Sequence, residues 1–294
     1  MTGVSSARIE RRRDVQGAVR WLLYSRDIVE PAVMADGVGL ADILRAAELS
    51  ALIDTTAAGS VWARAELLAP IDRDTEVWAA GVTYEQSRQA RMDESVNPDI
   101  YQRVYDADRP ELFFKSVGWR VRGPGQSISV RADSAWNVPE PELGVALRPD
   151  GEVFGWTICN DVSSRTIEGD NPLYLPQAKV YLGACAVGPS IILASEVVDP
   201  YDLDIELDIW RGGELAWSGR SSTTLLRRRV DVLSEYLFRA DVFPDGLVLS
   251  TGTPLVPDHD FTLSAGDVVS IRIGDLGELT NPTVEGLPPA DGAW

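Results

Sequence analysis

The sequence predicts an α+β fold that is mainly β, with a small N-terminal domain over residues 1–70 and a larger domain over residues 71–294. Short segments of alternating apolar and polar residues dominate the chain, and glycine and proline turns separate them. Helical periodicity is confined to two stretches, and no βαβ rhythm is present, which disfavours a doubly wound parallel sheet. The length of 294 residues allows one large domain with a smaller companion.

The N-terminal segment combines a short strand-like start with the first helical pattern. Over residues 39–54, apolar side chains recur at helical spacing, namely Leu40, Ile43, Leu44, Ala47 and Ala51. Residues 69–76 contain a proline and alternating charges, which is typical of a linker. The sequence therefore predicts a small accessory domain that ends near residue 70, and a main domain that begins near Glu76.

Short strands make up most of the main domain. In residues 203–209 apolar side chains occupy the odd positions and acids the even ones, and a turn at Gly212-Gly213 leads into a second strand. This pattern predicts an antiparallel hairpin with one apolar face. Residues 269–273 alternate in the same way.

Two further strands and one helix complete the predicted main domain. Residues 143–147 and 153–158 are almost continuously apolar, which is typical of strands buried on both faces. A helix is predicted over residues 228–240, because its apolar side chains recur on one face.

A highly charged segment, residues 87–111, separates two groups of strands. A long insertion of this kind in a compact domain is often a lid or a binding loop. A solvated surface helix or a disordered loop has the same composition, so the sequence leaves these alternatives open.

The charge of the chain argues against two classes of partner. With 27 Lys and Arg against 45 Asp and Glu, the formal net charge is −18, and such a surface repels phosphate backbones and anionic lipid. We therefore expect neither nucleic acid nor a membrane as a partner. The chain has no run of eighteen apolar residues, and Cys159 and Cys185 suit core thiols better than a disulfide framework. These features predict a cytoplasmic protein.

Several common catalytic motifs are missing from the sequence. It contains no dinucleotide fingerprint, no P-loop and no GxSxG elbow. The single histidine, His259, lies in a turn-like segment and is expected at the surface, so mechanisms that need two imidazoles are excluded. The chemistry must come from carboxylates, lysine, tyrosine, hydroxyls or a metal.

Two acids one residue apart, Glu140 and Glu142, stand at the start of a predicted buried strand. Residues i and i+2 of a strand project from one face, and neighbouring carboxylates repel each other unless a cation lies between them. A hard dication such as Mg²⁺ or Ca²⁺ would satisfy both. If residues 153–158 pair antiparallel with residues 143–147, Asp161 returns to the same end as a third ligand. The alternative is that these acids are surface strand ends beside turns.

The order of several motifs resembles the fumarylacetoacetate hydrolase family. They occur within residues 76–285 as Gly81-Val-Thr-Tyr84, Pro110-Glu-Leu-Phe-Phe-Lys115, Gly123-Pro-Gly125, Glu140-Pro-Glu142, Asn160-Asp161-Val-Ser-Ser-Arg165, Lys179, Thr251-Gly-Thr-Pro254 and GDxVxxxI at 266–273. Each motif alone is weak, whereas the set in one order is specific. The resemblance implies a mixed β-roll catalytic domain, a divalent ion such as Mg²⁺, Mn²⁺ or Ca²⁺, and substrates that are 2-oxo acids or their enols.

The resemblance also implies roles for individual residues. The metal ligands would be Glu140, Glu142 and Asp161. Lys179 would lie at the substrate, and the turn formed by Thr251, Gly252 and Thr253 would hold the substrate carboxylate. For the chemistry of a 2-oxo acid, Lys179 is the candidate base at C3 and Glu111 the candidate acid, and the two roles are interchangeable at this stage.

Four further side chains are candidates for supporting roles. Arg165 would orient Asp161 or neutralise the site, with an ordinary surface arginine as the alternative. Tyr84 and Ser87 would donate hydrogen bonds to substrate hydroxyls, although a buried structural tyrosine is equally consistent with the sequence. Lys115 is either a cation behind the site or a strand cap.

The composition adds an argument for Lys179. The 27 basic residues are 25 Arg and only two Lys, and both lysines fall inside the motifs. Lysine can lose its proton near neutral pH when it is desolvated, whereas arginine cannot. A site that needs a base therefore has a reason to keep lysine.

One position departs from the hydrolytic pattern of the family. Hydrolytic members usually carry a histidine three residues after the tyrosine of the first motif, and here that position is Ser87. Ser87, together with RPELFFK at 109–115, WNVPEPE at 136–142 and GDNPLYLPQAK at 169–179, most resembles the dehydratase branch of the family. That branch removes water from 2-keto-3-deoxy pentonates such as 2-dehydro-3-deoxy-D-arabinonate to give 2,5-dioxopentanoate in pentose degradation.

Three alternatives stay open at this stage. Two are enzymes, namely a C–C bond hydrolase of acylpyruvates and a decarboxylase of 2-oxo acids such as oxaloacetate. The third is a non-catalytic protein that binds a metal or a carboxylate. The resemblance further implies a homodimer or a homotetramer.

Overall fold

The computed structural model of the protein describes residues 6–26, 30–94 and 98–287. Seventeen strands lie in these residues: β1 (Arg8–Arg13), β2 (Val19–Tyr24), β3 (Ala32–Val33), β4 (Glu66–Leu68), β5 (Glu76–Gly81), β6 (Glu111–Val117), β7 (Ile128–Val130), β8 (Asn137–Val138), β9 (Pro141–Leu147), β10 (Val153–Asp161), β11 (Ser163–Ser164), β12 (Cys185–Leu193), β13 (Asp204–Arg211), β14 (Glu214–Ser222), β15 (Leu247–Ser250), β16 (Val268–Ile273) and β17 (Glu278–Glu285).

Seven α-helices occur in the same residues, and all of them are short: α1 (Leu40–Arg45), α2 (Gly59–Trp62), α3 (Glu85–Glu94), α4 (Pro98–Asp106), α5 (Arg165–Asp170), α6 (Leu175–Lys179) and α7 (Val230–Phe238). Within the described part of the chain, no helix is both long enough and apolar enough to cross a membrane.

Ten strands form one large sheet, in the order β3-β2-β1-β12-β10-β9-β15-β5-β6 with β4 paired to β1. A second sheet has the order β14-β13-β16-β17-β7, and β8 pairs with β11 apart from both. Most ladders are antiparallel, while β15–β5 and β17–β7 are parallel. This architecture confirms the predicted α+β fold with mainly β structure.

The main core combines side chains of both sheets. They come chiefly from β9 and β10 of the large sheet, from β13 and β16 of the second sheet, and from α7. Ile205, Leu207 and Ile209 of β13 are fully buried, which confirms the apolar face predicted from the alternation. The predicted hairpin is the antiparallel pair of β13 and β14.

The N-terminal strands extend the large sheet. Ile9 of β1 lies opposite Ile191 of β12, and a second core joins Trp21 and Leu40 to side chains such as Phe154 and Val187 of the main sheet. The predicted linker ends where β5 begins, at Glu76. The division into residues 1–70 and 71–294 stays a prediction, and the described parts of both segments share one sheet.

The helix predicted over residues 39–54 is shorter than its periodicity indicates. Helix α1 covers only six residues, and a 3₁₀ turn at Leu49–Leu52 follows it. Arg148 accounts for the early end, because its guanidinium donates to the carbonyls of Leu44 at 2.5 Å and Ala46 at 3.1 Å. A continued helix would need these carbonyls for its own hydrogen bonds.

The charged segment between the two groups of strands forms α3 and α4, which we call the helical insertion; residues 95–97 lie outside the described residues. The guanidinium of Arg228 donates to the carbonyls of Val104 at 2.9 Å and Asp108 at 3.2 Å, at the C-terminal end of α4. Arginine at this position satisfies carbonyls that the helix leaves free. The C-terminal end of the insertion is thus attached to the main domain.

The strand pair β9–β10 places the predicted acids together. The two strands are antiparallel, with Cys159 opposite Glu142, and the backbone N–H of Asp161 donates to the carbonyl of Glu140 at 3.0 Å. The predicted return of Asp161 to the other two acids is therefore confirmed.

Candidate active site

Three carboxylates form a buried cluster where β9 begins and β10 ends. Glu140, Glu142 and Asp161 are each 2% exposed, and each offers an oxygen within 4.8 Å of the other two. The i, i+2 spacing along β9 and the antiparallel return of β10 produce this cluster. We call these three residues the acidic triad.

The charges around the acidic triad are uneven. Burial would raise the pKa of Glu140, but Lys179, Arg91 and Arg165 together hold it well below its ordinary range. Burial and the charges of the other two triad members raise the pKa of Glu142 to about 8. The site therefore lacks positive charge beside Glu142, and a divalent cation would supply it.

Lys179 reaches the acidic triad from the end of α6. Its Nζ donates to Glu140 Oε2 at 3.1 Å, Asp161 Oδ2 at 2.9 Å and Ser163 Oγ at 2.6 Å. The same nitrogen lies 5.8 Å from the ring centre of Phe113. The predicted base is thus buried and in direct contact with two predicted metal ligands.

Lys115 is a second buried cation beside the acidic triad. Its Nζ lies 2.5 Å from Asp161 Oδ1 and donates to the carbonyls of Val162 at 3.1 Å and Lys179 at 2.5 Å. Of the two alternatives drawn from the sequence, these contacts favour a cation behind the site over a strand cap.

Two arginines contact Glu140 from different elements. Arg165, the first residue of α5, is 1% exposed, and its Nη2 lies 3.1 Å from Glu140 Oε1. Arg91 of α3 donates to the same oxygen at 3.0 Å and also pairs with Glu168 of α5. The contact of Arg165 with Glu140 suits the predicted role of neutralising the site and argues against an exposed arginine.

Sequence reasoning missed Arg91 and Glu168. Arg91 is one charge within a highly charged segment, so the pattern gave no reason to single it out. Glu168 lies three residues after Arg165, which is about one helical turn, and this spacing is the only signal that points to it. Both side chains are buried in the structure.

The acidic triad opens into a small cavity. The predicted residues in its wall, beyond the triad, are Ser87, Glu111, Lys179, Gly252 and Thr253. The wall also contains residues to which the sequence assigned no role: Ala80, Gly81, Val82, Arg91, Tyr101, Phe113, Glu168 and Leu175. The main domain and the helical insertion therefore enclose one site together.

Glu111 lies at the start of β6 and faces the cavity beside Gly81. A Cβ at Gly81 would lie 2.0 Å from Glu111 Oε2, so a larger residue there would displace the Glu111 carboxyl group. Burial raises the pKa of Glu111, although Arg91 and Lys179 oppose this effect. A carboxyl group in this environment keeps its proton more readily, which suits the predicted acid.

Ser87 and Tyr84 occupy different positions. The Ser87 hydroxyl faces the cavity in the first turn of α3 and donates to the Tyr84 carbonyl at 2.9 Å. Tyr84 is fully buried behind the wall, and its hydroxyl has no hydrogen-bond partner among the described residues. Burial, together with the charge of Glu142, raises the pKa of Tyr84. Its place in the structure matches the buried alternative rather than a substrate contact.

The turn after β15 holds Glu142. The backbone N–H of Gly252 donates to Glu142 Oε2 at 2.8 Å, and Gly252 has φ +94°, which favours glycine. The Thr251 hydroxyl donates to the Leu143 carbonyl at 2.9 Å, whereas Thr253 reaches the cavity. Thr251 therefore positions the turn from behind the wall, and the contact of this turn with a substrate carboxylate stays a prediction.

Val82 adds local strain to the cavity wall. It follows β5 with φ 51°, and a β-branched residue rarely adopts positive φ. Strained backbone of this kind clusters at functional sites, where the surrounding structure maintains it.

The donor set fits a divalent metal ion. Its three carboxylates are hard oxygen ligands, they are buried, and their oxygens converge within 4.8 Å. Glu142 in particular gains from a cation because its neighbours disfavour its charged form. The chain can therefore hold a metal of the Mg²⁺ class in the cavity.

Comparison with known proteins identifies a family for this arrangement. The model of the fumarylacetoacetate (FAA) hydrolase C-terminal domain matches residues 76–284. That range contains the acidic triad, both lysines and the helical insertion. It excludes the N-terminal strands that extend the large sheet.

Two curated relatives are dehydratases by name. The probable 2-keto-3-deoxyxylonate dehydratase of Haloferax volcanii is 50% identical over 212 residues, which cover 72% of this chain and 73% of the relative. The 2-dehydro-3-deoxy-D-arabinonate dehydratase of Saccharolobus solfataricus is 46% identical over 217 residues, which cover 72% of each chain.

A solved structure also resembles most of the chain. It is 2-keto-3-deoxy-D-arabinonate dehydratase complexed with magnesium and 2,5-dioxopentanoate, with a TM-score of 0.82 and 34% sequence identity. The alignment covers 95% of this chain and 99% of that chain, so it extends into the N-terminal strands.

Proposed function

Because the chain belongs to the fumarylacetoacetate hydrolase family, we propose that it is a metal-dependent hydro-lyase that dehydrates 2-dehydro-3-deoxy-D-arabinonate, or a related 2-keto-3-deoxy pentonate, to 2,5-dioxopentanoate. One observation carries this proposal. A single cavity joins the acidic triad to Lys179 and Glu111, in a chain whose 46% and 50% identical relatives are named dehydratases of such acids.

The names of these relatives refer to acids from two pentoses, but for D sugars the two acids are one compound. In a 2-keto-3-deoxy pentonate C2 is a ketone and C3 is a methylene, so C4 is the only stereocentre left. C4 is also the carbon that defines the D series of pentoses. We therefore propose one substrate, whichever D-pentose supplies it.

The acidic triad would hold the divalent ion, and Mg²⁺ is the ion we propose. When bound, the ion supplies Lewis acidity that stabilises negative charge on a 2-oxo acid as C3 loses a proton. The residues of the chain supply the remaining chemistry, which is proton transfer at C3, C4 and C5.

Lys179 is the proposed base at C3. Its Nζ is buried and lies 3.1 Å from Glu140 Oε2 and 2.9 Å from Asp161 Oδ2, so it lies beside the position of the ion. In this role Lys179 takes one proton from C3, the C3–H electrons form the C3–C4 double bond, and the C4–O bond breaks.

Glu111 is the proposed acid for the departing hydroxyl. Burial raises its pKa, so it can enter the reaction with its proton. It gives this proton to the C4 hydroxyl, which leaves as water. The Glu111 carboxylate then takes a proton from C5 while Lys179 returns its proton to C3. The resulting C4–C5 enol becomes the aldehyde, and both residues regain their starting forms.

The helical insertion contributes to the cavity wall above these residues. Ser87, Arg91 and Tyr101 bring hydroxyl and guanidinium groups to the wall, where they suit the hydroxyls and the carboxylate of a sugar acid. The enclosure also limits water, which strengthens electrostatic interactions inside the site.

The direct test is incubation of the purified protein with Mg²⁺ and 2-dehydro-3-deoxy-D-arabinonate, followed by NMR. We expect formation of 2,5-dioxopentanoate, and the C4 epimer serves as the matched control substrate. The variant Lys179→Met should give no product. Unchanged substrate with the wild-type protein, at saturating Mg²⁺, would contradict the proposal.

The products formed from other substrates distinguish the alternative reactions. Incubated with an acylpyruvate, a hydrolase would yield pyruvate, and incubated with oxaloacetate, a decarboxylase would release CO₂. The position at which hydrolytic members carry histidine holds Ser87, whose hydroxyl donates to the Tyr84 carbonyl at 2.9 Å. Because this residue is a serine, no imidazole is present at that position to activate water. This absence favours dehydration over hydrolysis.

Three further properties belong to the proposal by resemblance to the family. They are a role in pentose degradation, a cytoplasmic location, and a homodimeric or homotetrameric state. Light scattering of the purified protein measures the last of these, and a monomer at micromolar concentration would contradict it.

A further inference from the structure

In each member of the acidic triad, one carboxylate oxygen is held by protein groups other than Lys179, the proposed base. For Glu140 that oxygen is Oε1, which lies 3.0 Å from Arg91 Nη2 and 3.1 Å from Arg165 Nη2. Its other oxygen, Oε2, accepts from Lys179 at 3.1 Å, and the same ammonium group donates to Asp161 Oδ2 at 2.9 Å. Two arginines on separate helices therefore fix the orientation of this carboxylate.

Glu142 is held by neutral donors. Its Oε2 accepts from Ser250 Oγ at 2.6 Å and from the Gly252 N–H at 2.8 Å. The oxygen that these donors do not hold is Oε1. Since the Gly252 N–H belongs to the backbone, this donor cannot follow a rotation of the carboxylate.

Asp161 is held by Lys115. The ammonium group lies 2.5 Å from Oδ1, and its remaining donors serve the carbonyls of Val162 and Lys179. Two of its three N–H donors therefore have carbonyl acceptors, and its charge forms an ion pair with Oδ1. The Lys115 side chain is fully buried, which leaves it no alternative partner in water.

Resting on the proposed metal dependence, we infer that the acidic triad offers one oxygen per carboxylate, and that Lys115 is a metal-selectivity residue because it withholds the second oxygen of Asp161. Ca²⁺ takes six to eight oxygens and readily uses carboxylates through both oxygens, whereas Mg²⁺ takes six ligands and needs only single oxygens. A site restricted to single oxygens therefore favours Mg²⁺ and the similarly sized Mn²⁺ over Ca²⁺.

The test compares affinities for two ions of equal charge. Removal of Lys115 makes the site more negative, which strengthens the binding of any dication. The ratio of the Ca²⁺ and Mg²⁺ dissociation constants cancels most of this effect, and it therefore reports selectivity. Calorimetric titration of the chelator-treated protein measures both constants without any turnover.

The wild-type protein should bind Mg²⁺ more tightly than Ca²⁺. In Lys115→Met the ratio of the Ca²⁺ constant to the Mg²⁺ constant should fall at least about tenfold, the lower end of the effect of residues that orient metal ligands. The matched control is Arg120→Met, which also replaces a cation with methionine but contacts the Trp119 ring at 4.7 Å. Its ratio should equal that of the wild type.

Equal affinity of the wild-type protein for Ca²⁺ and Mg²⁺ would overturn the inference. An unchanged ratio in Lys115→Met would also overturn it, including the case in which the affinities for both ions fall by the same factor. If that variant does not fold, Ser250→Ala decides, because it frees Glu142 Oε2 from one donor without changing the charge. A fall in its ratio supports the inference, and an unchanged ratio overturns it. Dehydration with Mg²⁺ is a separate measurement, so either conclusion can fail alone.

Discussion

Lys179 and Glu111 reach the cavity from a helix end and a strand start, and their surroundings differ. Lys179 contacts two carboxylates of the acidic triad, whereas burial dominates at Glu111 and raises its pKa. A base and an acid with separate environments suit a reaction that removes a proton and a hydroxyl from neighbouring carbons.

Hydrogen exchange at C3 of the substrate distinguishes these two roles. In D₂O with Mg²⁺, Glu111→Gln should still exchange the C3 proton but lose dehydration by about 10²–10⁴-fold, because Lys179 remains as the base. Lys179→Met should lose both reactions. NMR follows both signals in one sample.

The variant Lys179→Arg is the matched control for charge. It keeps a cation beside the acidic triad but cannot act as a base near neutral pH, so it should behave like Lys179→Met. If Glu111→Gln loses exchange while Lys179→Met keeps it, the two assignments are reversed.

Glu142 makes metal binding depend on pH. Burial and like charges raise the pKa of Glu142 to about 8 in the metal-free protein, and a metal ligand must be deprotonated. Below pH 8 each bound Mg²⁺ should therefore release close to one proton. Its affinity should rise up to about tenfold per pH unit between pH 6 and 8 and level off above.

Calorimetry in two buffers of different ionisation enthalpy measures this proton release. The variant Glu142→Gln should bind Mg²⁺ more weakly and show a flatter pH dependence. Affinity that is constant from pH 6 to 8 in the wild-type protein would contradict the assignment of this proton to the site.

At the scale of elements, the helical insertion is attached to the main domain at two places. Arg228 donates to carbonyls at the end of α4, and Arg91 of α3 contacts Glu140 and Glu168. The second attachment belongs to the site itself. The position of α3 and the charge balance of the acidic triad are therefore linked.

The variant Arg91→Met tests this link. Loss of the contacts to Glu140 and Glu168 should increase amide hydrogen exchange in α3 but not at the end of α4, which Arg228 still holds. We expect kcat/KM to fall by about tenfold or more, since a charged hydrogen bond contributes about 1.5–3 kcal/mol.

The control for this variant lies in the same helix. Arg88 bonds to Glu85 and Gln102, both within the helical insertion, so Arg88→Met removes an equal charge without touching the acidic triad. Equal losses of kcat/KM in both variants would show that the effect comes from the insertion as a whole.

The strands were predictable because the pattern of apolar and polar residues within each strand largely specifies it. Alternation predicted β13 and β14, and continuous apolar character predicted β9 and β10, from which the meeting of Glu142 with Asp161 followed. The early end of α1 was not predictable, because the donor that ends it is Arg148, about a hundred residues away. Arg91 was missed because its partners Glu140 and Glu168 are also distant in sequence, and nothing in its own charged segment distinguishes it.

At the scale of the whole molecule, the acidic triad destabilises the metal-free fold. A chain with a net charge of −18 already repels itself, and it also buries three carboxylates in one cluster. Lys115, Lys179, Arg91 and Arg165 offset part of this repulsion. The raised pKa of Glu142 shows that the offset is incomplete.

Stability should therefore depend on pH through Glu142, with a sign that follows from its raised pKa. Between about pH 4.5 and 8 the folded metal-free protein keeps this proton, whereas the unfolded chain has lost it, so the contribution of Glu142 to stability falls as pH rises. In the presence of a chelator, the melting temperature of the wild type relative to that of Glu142→Gln should fall from pH 5 to 8.5.

Mg²⁺ should remove this fall in the wild-type protein, because the bound ion takes the place of the proton. Binding to the folded state alone also adds about 2.7 kcal/mol of stability at a hundredfold excess over the dissociation constant. The melting temperature of the wild type should therefore rise with Mg²⁺ most strongly near pH 8, and that of Glu142→Gln much less. Parallel pH profiles of the two chelated proteins would contradict the link between this buried carboxylate and the stability of the fold.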